Sequence, residues 1–357
     1  MLDTSHNSSF SKITPGLQLA WDSTSLGLLK ECPRKYYFSI IKGYTASNEN
    51  IHLLFGDWYH KVLERYDHAR CENLDHEAAM LKSVGWLLRN TVVDRNKISC
   101  VTSQNPDTGG YSCGAVTYLP LSQEVSHCPS CGNKRGIVVE KVRIAWDSDD
   151  SNKNRFNLVR SAVWYLEQFK DNPLETVTLS NGKPAVELSF RFEPGWYSLN
   201  GEPYVLCGHL DRVARMGTQE YILDRKTTKS TISQNFFEGF TPDNQMSLYT
   251  IAGRVCFGHN VSGVIIDGAQ VAVNFSRFER GFADRTLDCQ EEWMEEAQIW
   301  ISQAEVYAKK QIWPANDKSC SNYGGCAFRS ICSKSPKVRE TYLGKFETRT
   351  WDPLVPR

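Results

Sequence analysis

The sequence predicts an α/β fold in which helices accompany a sheet, and two observations favour it. Segments with helical spacing of apolar residues dominate the first part of the chain, and strand-like runs follow between residues 185 and 275. The 357 residues, 41% hydrophobic and 23% charged, have the composition of an ordinary globular protein with ample core. We therefore expect one large α/β domain or two medium ones.

Helices are predicted where apolar residues recur with a period near 3.6. They cover residues 26–44, 52–69, 74–95, 152–171, 243–256 and 290–311. The first carries Cys32. The second has an apolar face, and its other face presents Gly56, His60 and Glu64.

Four strand-like runs supply the predicted sheet: AVELSFRF, YVLCGHLDRVARM, QEYILDRKT and VIIDGAQVAVNF. The second and third are separated by Gly217 and Thr218, which suit the two-residue turn of a β-hairpin. This turn places Asp211 opposite Asp224, and alternation places Lys226 on the same face as Asp224. Two carboxylates and an ammonium group are therefore predicted to converge on one patch.

Such a patch suits a hard divalent cation. Burying three charges is unfavourable unless they are paired or bind an ion, and oxygen ligands favour Mg²⁺ or Mn²⁺. A bound ion of this kind lowers the pKa of water and neutralises charge on a phosphate under attack. An isolated D-x-K could instead be a solvated hairpin with an ordinary salt bridge.

The net charge of the chain neither supports nor excludes a nucleic-acid partner. The chain has 41 basic and 41 acidic residues, so a nucleic-acid surface would have to come from local clusters such as residues 134–143. No apolar run approaches 18 residues, and the first residues lack the hydrophobic core of a signal peptide. We expect a soluble, intracellular (cytoplasmic) protein with no membrane partner; association with the nucleoid and a viral or phage origin are alternatives. The final LVPR resembles a thrombin-site remnant and is left out of the fold prediction.

In this order, GHLDRV, LDRKT and QMSLY resemble the successive motifs of the PD-(D/E)XK nuclease superfamily, specifically its RecB-like branch. GDWYH resembles the branch's helical G-x-x-x-H segment, with His60 as a metal ligand, and Glu187 matches a glutamate on the first core strand. Gln245 and Tyr249 match its Q-x-x-x-Y helix, where they could contact DNA or the active lysine. Arg225 departs from the aromatic or aliphatic residue common at its position.

The resemblance implies a restriction-endonuclease-like core, a mixed central sheet flanked by helices, with a helical N-terminal part. It implies a Mg²⁺- or Mn²⁺-dependent DNA nuclease, an exonuclease or an enzyme acting on ends or single strands, that hydrolyses phosphodiester bonds in recombination, repair or replication. The implied catalytic residues are His60, Glu187, Asp211, Asp224 and Lys226, with His60, Asp211 and Asp224 as metal ligands and Gln245 and Tyr249 as substrate-binding residues. The alternative is a nucleic-acid-binding or adaptor protein that uses this fold without cleavage.

Residues 97–137 differ in character and are expected to form an inserted module. They contain Cys100, Cys113, Cys128 and Cys131, and HCPSCGN is typical of a zinc knuckle. In an intracellular chain such spacing favours Zn²⁺ over disulfides. His127 is a substitute ligand, and Lys134 and Arg135 are expected to contact phosphates. The alternative is a loop with incidental thiols.

A second cysteine set lies near the C-terminus, in CSNYGGCAFRSIC. Cys320, Cys326 and Cys332 need a fourth ligand, and ECPRKYYF around Cys32 resembles the N-terminal cysteine segment of iron–sulfur RecB-like nucleases, including the AddB and CRISPR-associated adaptation nucleases. The resemblance implies a [4Fe-4S] cluster that joins the two ends of the chain; structural zinc and free thiols remain alternatives.

The expected organisation along the chain follows from these features. It comprises a flexible N-terminus (1–19), a helical part of the nuclease domain (20–96), the inserted module (97–137), the nuclease core with its cysteine segment (138–335) and a tail (336–357).

Overall fold

The computed structural model describes residues 8–45, 51–101, 113–121, 123–134, 136–146, 148–258 and 261–356. The strands of these residues are β1 Ala20–Trp21, β2 Tyr44–Thr45, β3 Val92–Cys100, β4 Val116–Pro120, β5 Ile137–Ala145, β6 Glu175–Thr176, β7 Val186–Phe192, β8 Val205–Met216, β9 Gln219–Thr228, β10 Val261–Val271, β11 Ser276–Ala283 and β12 Glu347–Thr348.

The α-helices of the same residues are α1 Ser23–Glu31, α2 Pro33–Tyr36, α3 Ile51–Cys71, α4 His76–Asn90, α5 Arg155–Gln168, α6 Gln234–Glu238, α7 Asn244–Phe257, α8 Leu287–Lys310, α9 Arg329–Cys332 and α10 Arg339–Leu343. A π-helical segment over Tyr37–Ile41 continues α2, and a 3₁₀ segment over Asp317–Gly324 follows α8.

A seven-stranded mixed sheet forms the centre of the protein. Its strand order is β1-β8-β9-β10-β11, and β6 and β7 also pair with β8. The β9–β10 and β1–β8 pairs are parallel, whereas β8–β9 and β10–β11 are antiparallel. The predicted mixed sheet is therefore confirmed; β11 is an additional strand that the sequence analysis did not identify.

Helices cover the sheet on both faces. Residues of α1, α7 and α8 share one buried apolar cluster with the sheet, including Leu29, Leu248 and Trp293. Residues of α3 and α5 share a second cluster with β10 and β11, including Tyr59 and Leu158. Since each cluster removes one face of the sheet from water, side chains that alternate along β9 face different helices.

The central hairpin has the predicted register. Arg212 pairs with Leu223 and Met216 with Gln219 across the turn at Gly217. Gly217 has a φ of +62°, a conformation that glycine adopts without steric penalty. The turn therefore sets which side chains of β8 and β9 share a face.

Two predicted helices end well before the expected residue. The helix expected over residues 26–44 breaks at Cys32, whose extended backbone (φ −163°, ψ 110°) precedes Pro33. The ring of a proline disfavours helical geometry in the residue before it. The helix expected over residues 74–95 ends at Asn90, and its β-branched continuation, Val92 and Val93, begins β3 instead.

Residues 1–7 of the expected flexible N-terminus lie outside the described residues. The residues that follow are packed against the rest of the protein. Leu17 and Leu19 belong to the same buried apolar cluster as α1, α7 and α8, and Leu19 N donates to Ser9 O at 2.8 Å. No helix among the described residues is long and apolar enough to cross a membrane.

A separate three-stranded antiparallel sheet in the order β4-β3-β5 contains the inserted segment. Its central strand β3 pairs with the outer strand β5 from Val92–Ala145 to Cys100–Ile137, and Trp146 N donates to Thr91 O at 3.0 Å. The segment therefore leaves and rejoins the core at adjacent points, between α4 and α5.

Helix α7 packs unusually close to the sheet at Gly253, and this contact can be tested. A Cβ at this position would lie 2.9 Å from Val261 Cγ1 and 3.0 Å from Ile222 Cδ1, both on fully buried residues. Gly27, within α1, has nothing within 4 Å of a Cβ and is the matched control.

We expect Gly27→Ala to stabilise the protein by up to about 1 kcal/mol, because alanine favours helix. Gly253→Ala should lack this gain, since overpacking costs about 1–3 kcal/mol. Urea unfolding of both variants measures the difference. Equal stabilisation by the two substitutions would show that α7 does not need the close approach.

Candidate active site and cysteine sites

The residues expected from the nuclease motifs line one cleft of about 790 Å³. They are His60, Glu187, Asp211, Asp224, Lys226, Gln245 and Tyr249. They come from α3, β7, β8, β9 and α7, so five elements that are distant in sequence build the cleft.

Three potential metal ligands meet at the centre of the cleft. One ligand atom each of His60, Glu187 and Asp211 lie within 4.8 Å of one another. His60 Nδ1 is 3.4 Å from Asp211 Oδ2. An imidazole nitrogen with carboxylate oxygens is a donor set that suits Mg²⁺ or Mn²⁺, so these side chains fit a divalent ion.

Glu187 enters this group through an uncommon backbone conformation. Its φ is +48°, although it lies within β7, and the flanking pairs are Val186–Arg212 and Leu188–Leu210. A non-glycine residue in this region costs on the order of 1–3 kcal/mol, and such residues cluster at functional sites. The conformation occurs at the level of Asp211 on the neighbouring strand, where the Glu187 carboxylate joins the other two ligands.

The two aspartates of the hairpin have opposite pKa shifts. Burial raises the pKa of Asp211, but the neighbouring His60, the N–H of Arg225 at 2.9 Å and Lys226 together hold it below its usual value. Burial and the nearby Asp211 raise the pKa of Asp224 to about 6, although Lys226 opposes this rise. Additional positive charge in the cleft would therefore favour the ionised form of Asp224.

Lys226 is held in place by an acid and an amide. Its Nζ lies 2.7 Å from Asp224 Oδ2 and donates to Gln245 Oε1 at 2.8 Å. Burial lowers the pKa of Lys226, but Asp224 and Asp211 reverse this and raise it, so the ammonium form is retained. Gln245 Nε2 donates in turn to the Tyr249 hydroxyl at 2.8 Å.

The N-terminal cap of α7 orients the residue Gln245. Asp243 caps the helix, and its Oδ1 accepts from Gln245 N at 2.8 Å and from Met246 N at 3.0 Å. Gln245 therefore contacts the lysine, and Tyr249 contacts Gln245. Contact with the lysine is one of the two alternatives that the sequence leaves open. The Arg225 side chain is on the opposite face of β9, where it is paired with Asp67.

The cleft also contains residues that the sequence analysis did not assign to it: His52, Asp57, Lys61, Glu64 and Thr227. Asp57 and Glu64 lie three and four residues from His60, within one helical turn on each side. Helical spacing already placed Glu64 on the same face as His60, and it could have identified Asp57 as well.

Comparison with known families identifies the chain. A model of the PD-(D/E)XK nuclease superfamily matches residues 138–333, more than half of the sequence. The chain belongs to this superfamily. No curated protein matches it.

Solved structures with some likeness include a proposed exonuclease from Eubacterium rectale, with a TM-score of 0.41 and 9% identity over 85% of this chain and 86% of that one. Another is SSO0001, with a TM-score of 0.26 and 14% identity over 48% of this chain and 66% of that one. At these TM-scores neither likeness bears on the function of the PD-(D/E)XK chain.

The module of the PD-(D/E)XK chain has a compact four-cysteine site. The sulfurs of Cys100, Cys113, Cys128 and Cys131 all lie within 4.8 Å of one another. The Cys100–Cys131 and Cys113–Cys128 separations are 3.8 and 3.7 Å. At a Zn–S distance of about 2.3 Å, the sulfurs of a tetrahedral site lie about 3.8 Å apart. The sulfur–sulfur distances therefore fit tetrahedral coordination of a single metal ion.

Backbone N–H groups around Cys128 favour its thiolate form. Those of Ser130 and Cys131 lower the pKa of Cys128 to about 6, against the opposing effect of burial. Metals bind thiolate rather than thiol, so Cys128 favours the form that a metal requires. The exposed His127 bonds to Ser126 Oγ at 3.0 Å and is not a member of the four-cysteine group.

The sulfurs of the second cysteine set, Cys32, Cys320, Cys326 and Cys332, are further apart than those of the four-cysteine site. Cys32 accepts from Asn316 N at 3.3 Å, and Cys320 Sγ lies 3.9 Å from Asn316 O, so one short segment contacts both. Cys326 and Cys332 pack beside Phe328 in a common apolar cluster. Among the described residues, no three of these sulfurs lie within 4.8 Å of one another.

Of the two expected phosphate contacts in the module, Lys134 is exposed in the loop after Cys131. It is not among the described residues that line the cleft. Arg135 lies outside the described residues.

Proposed function

We propose that this chain is a Mg²⁺- or Mn²⁺-dependent nuclease that hydrolyses phosphodiester bonds of DNA at ends or in single strands. The observation that carries the proposal is the meeting of His60, Glu187 and Asp211 within 4.8 Å, in the same cleft as Lys226. The restriction to DNA ends or single strands rests on the resemblance of the motif order to the RecB-like branch.

Each side chain has a separate task in this reaction. A divalent ion, when bound, supplies charge neutralisation for the phosphate and lowers the pKa of water. His60, Glu187, Asp211 and Asp224 would hold it. The Lys226 ammonium lies beside them and would stabilise negative charge that develops on the phosphate oxygens. Gln245 fixes the direction of Lys226, because its amide oxygen accepts from Nζ at 2.8 Å.

The charge distribution favours cleavage over binding alone. Asp211 and Asp224 are 4% and 1% exposed. Withdrawing such groups from water costs on the order of several kcal/mol each unless they are paired. A module that only bound nucleic acid would need positive charge at its surface, not two buried carboxylates.

We further propose that the module binds one Zn²⁺ through Cys100, Cys113, Cys128 and Cys131. The tetrahedral spacing of the sulfurs supports zinc, and so does the poor core of the module. Its sheet and the residues directly after two of the strands expose several apolar side chains, namely Val101, Val116, Tyr118, Leu121, Val138 and Val139. A sheet that buries so little apolar area gains its stability from a bound metal. Lys134 and Arg135 would contact phosphates of the substrate.

For the second set we propose a [4Fe-4S] cluster held by Cys32, Cys320, Cys326 and Cys332. Four thiolates that each bind a different iron stand further apart than ligands of one ion, and the wider spacing of these sulfurs agrees with this. Arg34, two residues after Cys32, contacts Trp313 O and Pro314 O at 3.2 and 2.9 Å. These bonds hold the N-terminal cysteine against the C-terminal segment.

The first prediction concerns cleavage. Asp211→Ala, Asp224→Asn and Lys226→Ala should each lower the cleavage rate by at least about 10²-fold, because each removes charge that acts in the transition state. Single- and double-stranded DNA with distinguishable labelled ends is the substrate, in Mg²⁺ or Mn²⁺. The matched control is Glu72→Ala, an exposed carboxylate paired with Lys82 at 2.7 Å, which should retain full activity.

His60→Ala should raise the Mn²⁺ concentration needed for half-maximal cleavage. Tight DNA binding by the wild-type protein without cleavage in either metal would favour the adaptor alternative. Wild-type rates in any of the three active-site variants would exclude the assignment.

The second prediction is one zinc per chain. Replacement of both Cys128 and Cys131 by Ser should remove it, as measured by elemental analysis. The control is the double replacement of Cys71 and Cys256, both exposed and outside the two sets, which should keep zinc at the wild-type level. Zinc retained after the first replacement would place the ion elsewhere.

The third prediction is iron in protein purified without oxygen, at about four atoms per chain, with the broad visible absorption of such clusters. Cys32→Ser should lose both the colour and part of the thermal stability, because the cluster joins distant parts of the chain. Cys207→Ser, a buried cysteine outside both sets, is the control and should keep the iron. Unchanged iron in Cys32→Ser would exclude Cys32 as a ligand.

A further inference from the structure

One buried aspartate contacts both strands of the catalytic hairpin. Asp67 lies on α3 and is 4% exposed. Its Oδ1 is 3.4 Å from Arg212 Nη1, and its Oδ2 accepts from Arg225 Nη2. Arg212 and Arg225 are themselves 7% and 2% exposed. A single carboxylate therefore bridges β8 and β9, with one oxygen for each strand.

The two arginines directly follow the two aspartates of the cleft. Arg212 comes after Asp211, and Arg225 comes after Asp224. Arg225 is linked to the cleft a second time, because its backbone N–H donates to Asp211 Oδ2 at 2.9 Å. Each guanidinium that Asp67 contacts therefore belongs to the residue directly after a proposed metal ligand.

Asp67 and His60 belong to one face of α3. Asp67 is seven positions after His60, which corresponds to about two turns of an α-helix. His60 reaches Asp211, whereas Asp67 reaches Arg212 and Arg225. The helix that supplies His60 is therefore tied to the two strands that supply Asp211 and Asp224.

One partner of Asp67 is fixed by further contacts, and the other depends on Asp67. Arg212 Nε donates to Thr176 Oγ1 and its Nη2 to Leu174 O, both at 2.9 Å. Arg225 Nε and Nη1 are buried and have no hydrogen-bond partner among the described residues, so the position of this guanidinium depends on its Nη2 bond to Asp67. A buried charge paired with a fixed partner has one defined position, so it can set the positions of its neighbours.

We propose that Asp67 is a positioning residue for the metal site. Through Arg212 and Arg225 it fixes the spacing of Asp211 and Asp224 relative to His60, and it thereby sets the affinity for the divalent ion. The inference rests on the proposed function, since it requires these side chains to bind the ion. Groups that orient metal ligands typically change metal affinity about 10- to 100-fold when replaced.

The test is Mn²⁺ titration calorimetry of Asp67→Asn without DNA, together with thermal unfolding. Asparagine keeps the shape of the side chain but removes its charge. We expect Mn²⁺ to bind about 10- to 100-fold more weakly, and the folded protein to need a correspondingly higher Mn²⁺ concentration for cleavage. Metal affinity is measured well below the unfolding temperature, so lost stability alone does not change it.

Glu305→Gln is the matched control. Glu305 is also a buried carboxylate, 4% exposed, and it accepts from Leu199 N and the Tyr204 hydroxyl at 2.9 and 3.0 Å, outside the cleft. This variant should lose stability while its Mn²⁺ affinity stays at the wild-type value. A second variant, Arg225→Lys, keeps the buried positive charge but loses the planar fork, and it should weaken Mn²⁺ binding even if Asp67→Asn does not fold.

The outcomes separate the two proposals. Wild-type protein that binds no Mn²⁺ and cleaves nothing would overturn the proposed function and this inference with it. Wild-type protein that binds and cleaves, beside Asp67→Asn and Arg225→Lys variants with Mn²⁺ affinity within twofold of it, would overturn the positioning role alone.

Discussion

Charge removed from water must be balanced by nearby charge, and this constraint organises the nuclease centre. Asp224 is balanced by Lys226, and Asp211 by His60 and a backbone N–H. Because the balancing groups come from different elements, none of these elements can shift independently. The same charges that would bind an ion therefore also determine how α3 and the central strands fit together.

The sequence could predict the parts of the site that depend on local spacing. A two-residue turn sets the register of the hairpin, so Asp224 and Lys226 follow from counting residues. The four-residue spacing of Gln245 and Tyr249 likewise places them together once α7 is recognised. The central sheet was predictable in its main strands, because buried β-branched runs are distinctive. Short or amphipathic strands are harder to predict from sequence. One example is β11, in which charged residues interrupt the apolar ones.

The remaining features depend on contacts between distant segments. Nothing in the residues around Glu187 indicates a φ of +48°, a conformation that occurs where the register of β7 against β8 passes over this residue. Asp67 has no motif of its own and is recognised only by the two guanidinium groups that it contacts. The helix break at Cys32 could have been predicted from the sequence, since Pro33 follows it. A prediction based on helical periodicity alone does not detect it.

The connection of the cysteine-containing sheet to the core has a further consequence. Its first and last strands begin and end side by side, at Val92 and Ala145, so the chain enters and leaves through a gap of one strand pair, about 5 Å wide. Extra sequence is tolerated where its two ends are close in space. In evolutionary terms, a segment attached in this way can be acquired, lost or exchanged as a unit, because α4 and α5 need only a short turn to replace it.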